Sequence, residues 1–488
     1  MVIESLKYKI LQQFGFAPTQ EQGQALDTFV SFLTDRDPQA VMILRGSAGT
    51  GKTSLSGAIV RTLLQIRQKV MLLAPTGRAA KVFSLGSGAP AYTIHRRIYR
   101  EKAFAGVDGQ FGLNDNLYTD TLFMVDEASM IANMGLGGTT FGSGCLLDDL
   151  VKFVYQGHND RLLLIGDKAQ LPPVGEEESP ALSASVMEGY GLKVYECDLN
   201  EVLRQSQSSG ILYNATLIRQ MITHDAVTGL PLIRFKGFAD IVMMPGAELV
   251  ESLGDSYHHV GMDETMVITR SNKRANIYNN GIRNMVLDRE EELSSGDMLM
   301  IVKNNYFWTE KEKKESGEGS AGAVPAFLAN GDRAKVLRVS NYIELYGVRF
   351  ATLLLQLPDY DDYEMQVTGM LDTLQSEAPA LTHEQQEELF RQVEEDYQHF
   401  VPLKADRMKS IRQDAYFNAL QIKYAYAVTC HKAQGGQWAH VYVDQGYMTD
   451  DMLTPDYIHW LYTAFTRATD KLFLVNWPKE QTCEPADL

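Results

Sequence analysis

The stretch Gly46-Ser47-Ala48-Gly49-Thr50-Gly51-Lys52-Thr53 decides the fold class, because it places four residues between two glycines and then continues with lysine and threonine. The apolar run 40–44 precedes it and predicts a buried strand. Residues 54–65 follow it and carry Leu55, Ile59 and Leu63 at helical spacing. A strand, a glycine loop and a helix in this order are typical of a phosphate-binding loop.

The residue types of this stretch suit a nucleotide bound with Mg²⁺. Glycines let backbone N–H groups approach phosphate oxygens, and the helix N-terminus adds a positive partial charge. Lys52 can reach the β and γ oxygens, and Thr53 can ligate Mg²⁺. A glycine-rich turn without a ligand is the alternative, which the flanking strand and helix disfavour. The residues expected to hold ATP are Gly46, Ser47, Ala48, Gly49, Thr50, Gly51, Lys52, Thr53 and Ser54.

Length and composition predict a globular protein with several domains, since the chain has 488 residues of which 45% are hydrophobic. The N-terminus lacks a basic segment followed by an apolar run, and no uncharged apolar run is long enough to cross a membrane. We therefore expect a soluble, cytoplasmic protein without membrane partners. The four cysteines have no paired spacing, which argues against a zinc site or a disulfide framework.

The charge balance is acidic, with a net charge of −17 and a pI near 5.1, whereas nucleic-acid binders usually have a basic surface. The acidity is unevenly distributed. Residues 359–400 contain many acidic side chains and a single basic one, Arg391. A basic groove elsewhere in the molecule is therefore compatible with the composition.

Three more apolar runs follow the glycine loop, and each ends in polar residues. Such runs, separated by helical stretches, predict a parallel sheet whose ligands gather at the carboxyl ends of the strands. The runs are 70–74 before Pro75-Thr76-Gly77-Arg78, 121–125 before Asp126-Glu127, and 162–165 before Gly166-Asp167.

Asp126, Glu127 and Gln170 are candidates for phosphoryl-transfer chemistry. Such a site needs a carboxylate that holds Mg²⁺ near Thr53 and a base or water-positioning group beside it, and Asp126-Glu127 offers both. Gln170 suits a role in sensing the γ-phosphate or orienting water. Taken alone, the acidic pair is also compatible with a solvated strand end, and Gln170 with a proline-ended turn.

Gln22 allows two interpretations that the sequence does not separate. Thr19 is an N-cap candidate, and Gln22 three residues later completes a capping box. The amide of Gln22 has one donor and one acceptor face, so it also suits the edge of an adenine base.

The second half of the chain predicts another α/β layer without a phosphate loop, and a small insertion within it. Alternation within 328–357 predicts an antiparallel barrel. The acidic residues 359–400 have a helical pattern with Leu389 and Val393 four apart, which predicts a solvated helical arm. The apolar runs of the second layer are 241–244, 266–269, 440–443 and 471–475.

Three shorter segments have their own patterns. Residues 99–116 surround the turn signal Asp108-Gly109 and predict a β-hairpin that carries Phe104 and Phe111. The glycine-rich residues 132–145 predict a mobile loop, and residues 310–320 predict a flexible linker.

The order of the motifs resembles that of the superfamily 1 (SF1B) DNA helicases of the RecD and phage Dda type, over nearly the whole chain. The resemblance rests on residues 19–22, 46–53, 74–81, 93–95, 126–129, 166–173, 203–205, 304–306, 330–332, 429–435 and 461–468.

The resemblance implies two RecA-like, parallel-sheet P-loop NTPase motor domains. The first would span 1–200 with a hairpin pin at 96–118, and the second 201–325 with 421–488. An SH3-like barrel insertion with the acidic arm would occupy 326–420. Such a motor, expected to act as a monomer, closes on ATP and steps along single-stranded DNA toward duplex junctions, from five-prime to three-prime.

The same resemblance implies roles for individual residues. Gln22 would contact adenine, Asp126 and Thr53 the metal, and Glu127 would activate water. Arg204 and Arg467 would be arginine fingers that act with Lys52 and Gln170 in catalysis. DNA contacts would come from Thr76, Arg78, Lys81, His95, Asn305, Thr429, His431 and Lys432. Phe104 and Phe111 would be wedge candidates on the pin, although a packed aromatic fits their patterns equally well.

Two rival functions are compatible with parts of the sequence. One is a nucleic-acid-stimulated ATPase that remodels protein–DNA or RNA complexes without unwinding. The other is a nucleotide-switched binding module that does not hydrolyse ATP, which the presence of Glu127, Gln170, Arg204 and Arg467 disfavours.

Overall fold

The computed structural model describes residues 2–105, 108–135, 142–201, 208–223, 229–316, 324–325 and 327–483. These residues form two open sheets, a closed barrel and a separate hairpin. Within this part of the chain, no helix is both long and apolar enough to cross a membrane.

The strands, in chain order, are β1 Ala40–Gly46, β2 Lys69–Ala74, β3 Ala91–Thr93, β4 Tyr99–Ala105, β5 Asp108–Leu113, β6 Thr121–Val125, β7 Arg161–Gly166, β8 Lys193–Leu199, β9 Ile241–Met244, β10 Thr265–Thr269, β11 Met298–Ile301, β12 Arg333–Leu345, β13 Val348–Leu357, β14 Tyr363–Met370, β15 Leu420–Tyr424, β16 Ala427–Thr429, β17 Trp438–Asp444 and β18 Ala468–Val475. The helices are α1 Val2–Phe14, α2 Gln20–Leu33, α3 Lys52–Gln65, α4 Gly77–Ser87, α5 Ile94–Ile98, α6 Leu146–Gln156, α7 Ala184–Gly189, α8 Gly210–Thr223, α9 Leu249–His259, α10 Asn272–Gly281, α11 Phe307–Ser316, α12 His383–Gln398, α13 Lys404–Arg412, α14 Cys430–Ala433 and α15 Pro455–Phe465.

The first sheet has the strand order β3-β2-β6-β7-β1-β8, and its neighbouring strands pair in parallel. The four predicted apolar runs of the first half are its strands β1, β2, β6 and β7. Both faces are covered, because Met42 and Leu44 pack into one core while Val41 and Ile43 pack into another. The predicted parallel α/β domain is confirmed.

The second sheet has the order β16-β10-β17-β18-β9 and is also parallel. Its strands β9, β10, β17 and β18 contain the four runs predicted for the second layer. Tyr442 and Phe473 stack on neighbouring strands with ring centroids 4.3 Å apart. The second sheet is therefore packed against apolar side chains, as an α/β domain requires.

The barrel is closed by β11-β12-β13-β14-β15 and is larger than the predicted insertion 326–420. Met298–Ile301 pairs with both β12 and β15, so the barrel begins before residue 326 and ends at Tyr424. The sequence missed β11 because its four residues form a short, wholly buried apolar run without alternation. The barrel and the second sheet share one continuous apolar core.

The acidic residues 359–400 do not form a single solvated arm. Their first part includes strand β14 of the barrel, Tyr363–Met370. The helix α12 begins only at His383. Leu389 and Val393 are buried against Phe350 of the barrel. The helical prediction holds for α12, but this helix covers the barrel instead of extending into solvent.

The other short segments also differ in part from their patterns. The predicted hairpin forms as β4 and β5, which pair in antiparallel fashion. The predicted linker 310–320 is helical up to Ser316, where α11 ends, and 317–320 lie outside the described residues. The centre of the glycine-rich loop, 136–141, also lies outside them. Its described flanks are anchored, since Glu176 Oε1 accepts from Asn133 N and Asp149 accepts from Ser143 N.

Candidate functional site

The phosphate loop lies between β1 and α3 and depends on glycine at several positions. Gly49 and Gly51 have φ angles of 77° and 82°, a region that other residues adopt at a cost. A Cβ atom on Gly46 would lie 2.9 Å from both Lys52 Cγ and Thr50 Oγ1. Only glycine leaves room here, so the loop can wrap closely around a phosphate group.

Polar groups of the loop hold its shape. Lys52 Nζ donates to the carbonyl oxygens of Gly46 at 2.5 Å and Ser47 at 2.9 Å. Thr50 Oγ1 donates to Ser47 O at 2.8 Å. Thr53 is exposed at the first turn of α3, where a metal ligand would have to be accessible. The ammonium group of Lys52 therefore lies within the phosphate loop, the position from which we expect it to bind phosphate oxygens.

Asp126 and Glu127 follow β6 directly and form a strained acidic pair. Glu127 has a φ angle of 52°, which is uncommon for a residue with a side chain. Burial, with a further contribution from the Glu127 charge, raises the pKa of Asp126 to about 7. Burial and the nearby Glu127 charge both disfavour the ionised form of Asp126. A divalent cation bound here would stabilise that form, because its positive charge compensates the two carboxylates.

The residues present fit Mg²⁺ held together with a nucleotide. No group of three or more His, Cys, Asp or Glu within the described residues could hold a metal ion by itself. Magnesium is usually held by one or two protein oxygens, while phosphates and water complete its shell. Thr53 and Asp126 would be those two ligands, and the ion would neutralise charge on the β and γ oxygens.

Gln170 lies in the turn that follows β7. It is buried, with 6% exposure, and its Oε1 atom has no hydrogen-bond partner among the described residues. The turn is fixed by Asp167, which accepts from Ala169 N at 3.0 Å through Oδ1 and from Gln170 N at 3.2 Å through its carbonyl. A buried amide oxygen without a partner is costly unless a ligand or water uses it. The side chain of Gln170 is therefore available to accept a hydrogen bond from a ligand or a water molecule at this site.

Gln22 uses its amide within the protein. Its Oε1 accepts from Thr19 N at 3.0 Å, which completes the predicted capping box of α2. Its Nε2 donates to Thr50 O at 2.9 Å. The capping interpretation is thus correct, and it links α2 to the phosphate loop. The adenine contact stays a prediction.

Of the two predicted arginine fingers, the described residues include Arg467, which has no contact with the phosphate loop among them. Arg204 lies outside the described residues. Arg467 is buried, and its guanidinium donates to Thr463 O at 3.1 Å, Gly436 O at 3.0 Å and Thr466 Oγ1 at 3.2 Å. All three acceptors belong to the second α/β domain. Arg467 is therefore held inside the second domain, and its approach to a nucleotide stays a prediction.

Two other side chains of the second domain do contact the loop. Arg219 of α8 donates through Nη1 to Ser47 Oγ at 3.0 Å. The hydroxyl of Tyr462 on α15 accepts from Ala48 N at 3.0 Å. Sequence reasoning named neither residue, because a polar position on an amphipathic helix carries no sign of what it faces. Tyr462 had a weak signal, since it lies within the motif 461–468.

The predicted DNA-contact residues on α4 are covered by the barrel segment 358–362, here called the covering loop. Arg78 Nη1 lies 3.8 Å from Asp359 Oδ1, and Lys81 Nζ donates to Pro358 O. Arg78 also donates to Gln437 O at 2.6 Å. Thr76 caps α4 by accepting from Ala79 N. The α4 face therefore contacts protein in this arrangement.

Asp332, from the motif 330–332, reinforces this contact. Tyr360 of the covering loop donates to Asp332 Oδ2 at 2.7 Å. Burial raises the pKa of Asp332 to about 7, and its Oδ1 atom has no partner within the part of the chain that the structure describes. A Cβ atom on Gly77 would lie 2.5 Å from this oxygen. The start of α4 thus packs directly against the barrel.

The remaining predicted strand contacts fall into two groups. His95 and Asn305 are half-buried: burial lowers the pKa of His95 to about 4, and Asn305 Nδ2 donates to Asn418 O at 2.9 Å. Thr429 and His431 lie where β16 meets α14, and His431 is exposed. Lys432 Nζ is buried and has no partner among the described residues, and burial lowers its pKa to about 8. Its unpaired charge would favour an anion such as a phosphate group.

Fold and loop define a P-loop nucleotide-binding protein built from two parallel α/β domains. The AAA domain family matches residues 17–229, and the UvrD-like helicase C-terminal domain family matches residues 424–475. The ATP-dependent RecD2 DNA helicase of Deinococcus radiodurans is 30% identical over 157 residues, which are 32% of this chain and 18% of that protein. These matches support the resemblance to the superfamily 1 helicases of the RecD and Dda type, a class of ATP-driven enzymes.

Other relatives match over different lengths. An uncharacterised protein of Methanocaldococcus jannaschii is 33% identical over 168 residues, which are 32% of this chain and 13% of the relative. A protein of Acanthamoeba polyphaga mimivirus is 21% identical, and the match covers 90% of this chain and 96% of that protein. The Bacteroides Pif1 helicase, solved with ADP-AlF3 and single-stranded DNA, is 13% identical with a TM-score of 0.46, and 96% of this chain covers 95% of it. The Candida albicans Pif1 helicase is 16% identical with a TM-score of 0.41, at 96% and 97% coverage.

The packing around Gly46 predicts the effect of adding one methyl group. Gly46→Ala should weaken nucleotide binding by about fivefold to a hundredfold, because overpacking costs about 1–3 kcal/mol. Titration of a fluorescent ATP analogue with Mg²⁺ measures this change. Gly23→Ala on α2 is the matched control, since a Cβ atom there meets nothing within 4 Å. Equal affinity for both variants would contradict the close fit of the loop.

Proposed function

We propose that this chain is an ATP- and Mg²⁺-dependent DNA helicase that moves from five-prime to three-prime on single-stranded DNA and unwinds duplex at junctions. The observation that carries the proposal is the contact of Arg219 and Tyr462, both from the second domain, with consecutive residues of the phosphate loop. A nucleotide held by that loop would lie at the boundary between two domains. Its binding and hydrolysis would therefore change how the domains meet.

Each polar group near the loop has a distinct task in this proposal. Lys52 binds the phosphate oxygens, and Glu127 orients the attacking water and accepts its proton. Gln170 hydrogen-bonds the γ-phosphate or the same water. Arg219 brings a positive charge from the second domain toward the charge that spreads over the γ oxygens in the transition state. The contact of Arg219 with Ser47 supports this last assignment.

The path of the strand would run over α4 and α14, where cations lie at the carboxyl ends of both sheets. Lys432 supports this path, because it is a buried ammonium without a partner in the described part of the chain. Arg78 and Lys81 would add phosphate contacts on the first domain. Contacts with phosphates position a strand without reading its sequence, which suits a motor that must move along any DNA.

The covering loop must leave α4 before a strand can lie there. Asp359 and the carbonyl of Pro358 take the positions next to Arg78 and Lys81 that phosphate oxygens would take. An acidic loop on a cationic face lowers its affinity for nucleic acid until the barrel moves. We therefore expect the barrel to shift when DNA binds.

One rival function differs from the proposed one in a single structural element. A nucleic-acid-stimulated ATPase that remodels complexes would need the same nucleotide site but no strand-separating element. The hairpin of β4 and β5 is the candidate for that element. The ring of Phe111 on β5 packs against Tyr306 at 4.5 Å and a tilt of 33°, and Tyr306 in turn stacks at 4.7 Å on Phe327 near the barrel. An anchored hairpin of this kind suits a fixed wedge better than a mobile flap.

The first test uses duplexes with a single-stranded tail on either end, in DNA and RNA versions. The chain should separate only the DNA duplex with a five-prime tail, and only with ATP and Mg²⁺. Strand separation is read on a native gel or by fluorescence, with Lys52→Ala as the inactive control. Robust ATPase activity with no separation of any duplex would favour the remodelling function.

The second test concerns the hairpin. Replacing Phe104 and Phe111 with alanine should abolish unwinding and leave DNA-stimulated ATP hydrolysis unchanged, because the hairpin would act only at the junction. Phe16→Ala is the control, since Phe16 is 68% exposed and belongs to neither site. Unwinding that persists in the double variant would rule out this hairpin as the pin. The side chain of Phe104 lies outside the described part of the chain.

The third test concerns the covering loop. Asp359→Asn should raise the affinity for single-stranded DNA by about twofold to fivefold, as expected when a partly buried ion pair is lost. Fluorescence anisotropy with a labelled oligothymidylate measures it at fixed salt. Asp362→Asn makes the same change of charge in the same loop at an exposed position. An equal rise in both variants would mean that only net charge matters.

A further inference from the structure

One face of α15 contacts the turn that carries Gln170. His459, Tyr462 and Thr463 are three and four residues apart, so their side chains project from the same face of the helix. His459 Nδ1 lies 2.9 Å from Ala169 O, and Thr463 Oγ1 accepts from Leu171 N at 2.8 Å. Each contact joins the second domain to backbone atoms of the first.

Tyr462 makes the central contact of this set. Its hydroxyl accepts from Ala48 N at 3.0 Å and donates to Asp167 Oδ2 at 2.6 Å. The side chain is 1% exposed. Burial and the neighbouring Asp167 carboxylate hold the pKa of Tyr462 well above its ordinary value, so the proton needed for the second bond stays in place. One hydroxyl thereby connects three segments of the chain.

Asp167 passes this connection to Gln170. The other carboxylate oxygen of Asp167 accepts from Ala169 N, and its carbonyl accepts from Gln170 N. The backbone position of Gln170 therefore depends on where Asp167 is held. The same Tyr462 hydroxyl fixes Ala48 in the phosphate loop. The phosphate loop and the turn with Gln170 are thus aligned with each other through Tyr462, which belongs to the second domain.

We propose that Tyr462 is a positioning residue, which aligns Gln170 with the phosphate loop only while α15 is docked on the first domain. The proposal rests on the proposed function and deepens it, since it names what makes hydrolysis depend on domain contact. Tyr462 acts through Ala48 and Asp167 and does not need to touch the nucleotide. Loss of its hydroxyl should therefore lower turnover without lowering nucleotide affinity.

The test variant is Tyr462→Phe, which keeps the buried ring and removes only the hydroxyl. At saturating single-stranded DNA its kcat for ATP should fall about tenfold, because misplacing a catalytic group typically costs at least that much. The Kd for a fluorescent ADP analogue should stay within about twofold, since the N–H groups and Lys52 that bind phosphate remain.

A second readout does not depend on activity. Hydrogen exchange without nucleotide should become faster in Tyr462→Phe for the peptides that cover 46–53 and 166–173 together, because both lose the same anchor. Tyr442→Phe is the matched control. Tyr442 is a buried tyrosine of the second sheet whose hydroxyl bonds Ser252 and Ser256, far from the loop along the chain. It should leave kcat and both peptides unchanged.

Three results would overturn the proposal: unchanged kcat, nucleotide affinity lowered by more than about twofold, or faster exchange in only one of the two peptides. If the wild-type chain hydrolyses no ATP, the proposed function fails, while the exchange experiment still decides whether Tyr462 aligns loop and turn. Should Tyr462→Phe not fold, Asp167→Asn replaces it, because it weakens the same bond from the other side. It should accelerate exchange in the same two peptides, and no acceleration would overturn the proposal.

Discussion

Parallel strands that end at one edge of a sheet impose the main constraint on this molecule. β1, β2, β6 and β7 are hydrogen-bonded neighbours or near neighbours, so the polar residues that follow them meet along a single crevice. The glycine loop, the Asp126-Glu127 pair and the turn with Gln170 are brought together in this way, although more than a hundred residues separate the first from the last. No side-chain contact is needed to recruit them, because the backbone pairing alone fixes their positions.

The second domain adds what one sheet cannot supply. A phosphate loop with an acidic pair can bind a nucleotide by itself. Hydrolysis can depend on a second domain only if that domain contacts the nucleotide site. Here α8 and α15, which pack on each other within the second domain, each present a polar side chain to the loop. Polar groups of both domains therefore meet at the phosphate loop. The helices α8 and α15 are held in place by the apolar core that the second sheet shares with the barrel.

Much of this architecture could be predicted from the sequence, and the reasons for the failures are physical. Four strands in each sheet were predictable because buried parallel strands are short apolar runs with polar ends, whereas β3, β8 and β16 were not predicted. β11 was missed because it is equally apolar but belongs to an antiparallel barrel. Residues 359–382 were misjudged because acidic side chains are tolerated on the outward face of a barrel strand. In the site, Arg219 could not be found, since the sequence does not show which face of α8 meets the loop.

The barrel is joined to the second sheet by a very short connection. β15 ends at Tyr424 and β16 begins at Ala427, and Tyr426 Oη donates to Asp297 at the start of β11. Arg283 and Arg289 converge on the same buried carboxylate. Barrel and second sheet are therefore tied together by a two-residue connection and by buried ion pairs. In the proposed function, a strand that displaced the covering loop would also shift α15, so strand entry and alignment of the nucleotide site would be coupled.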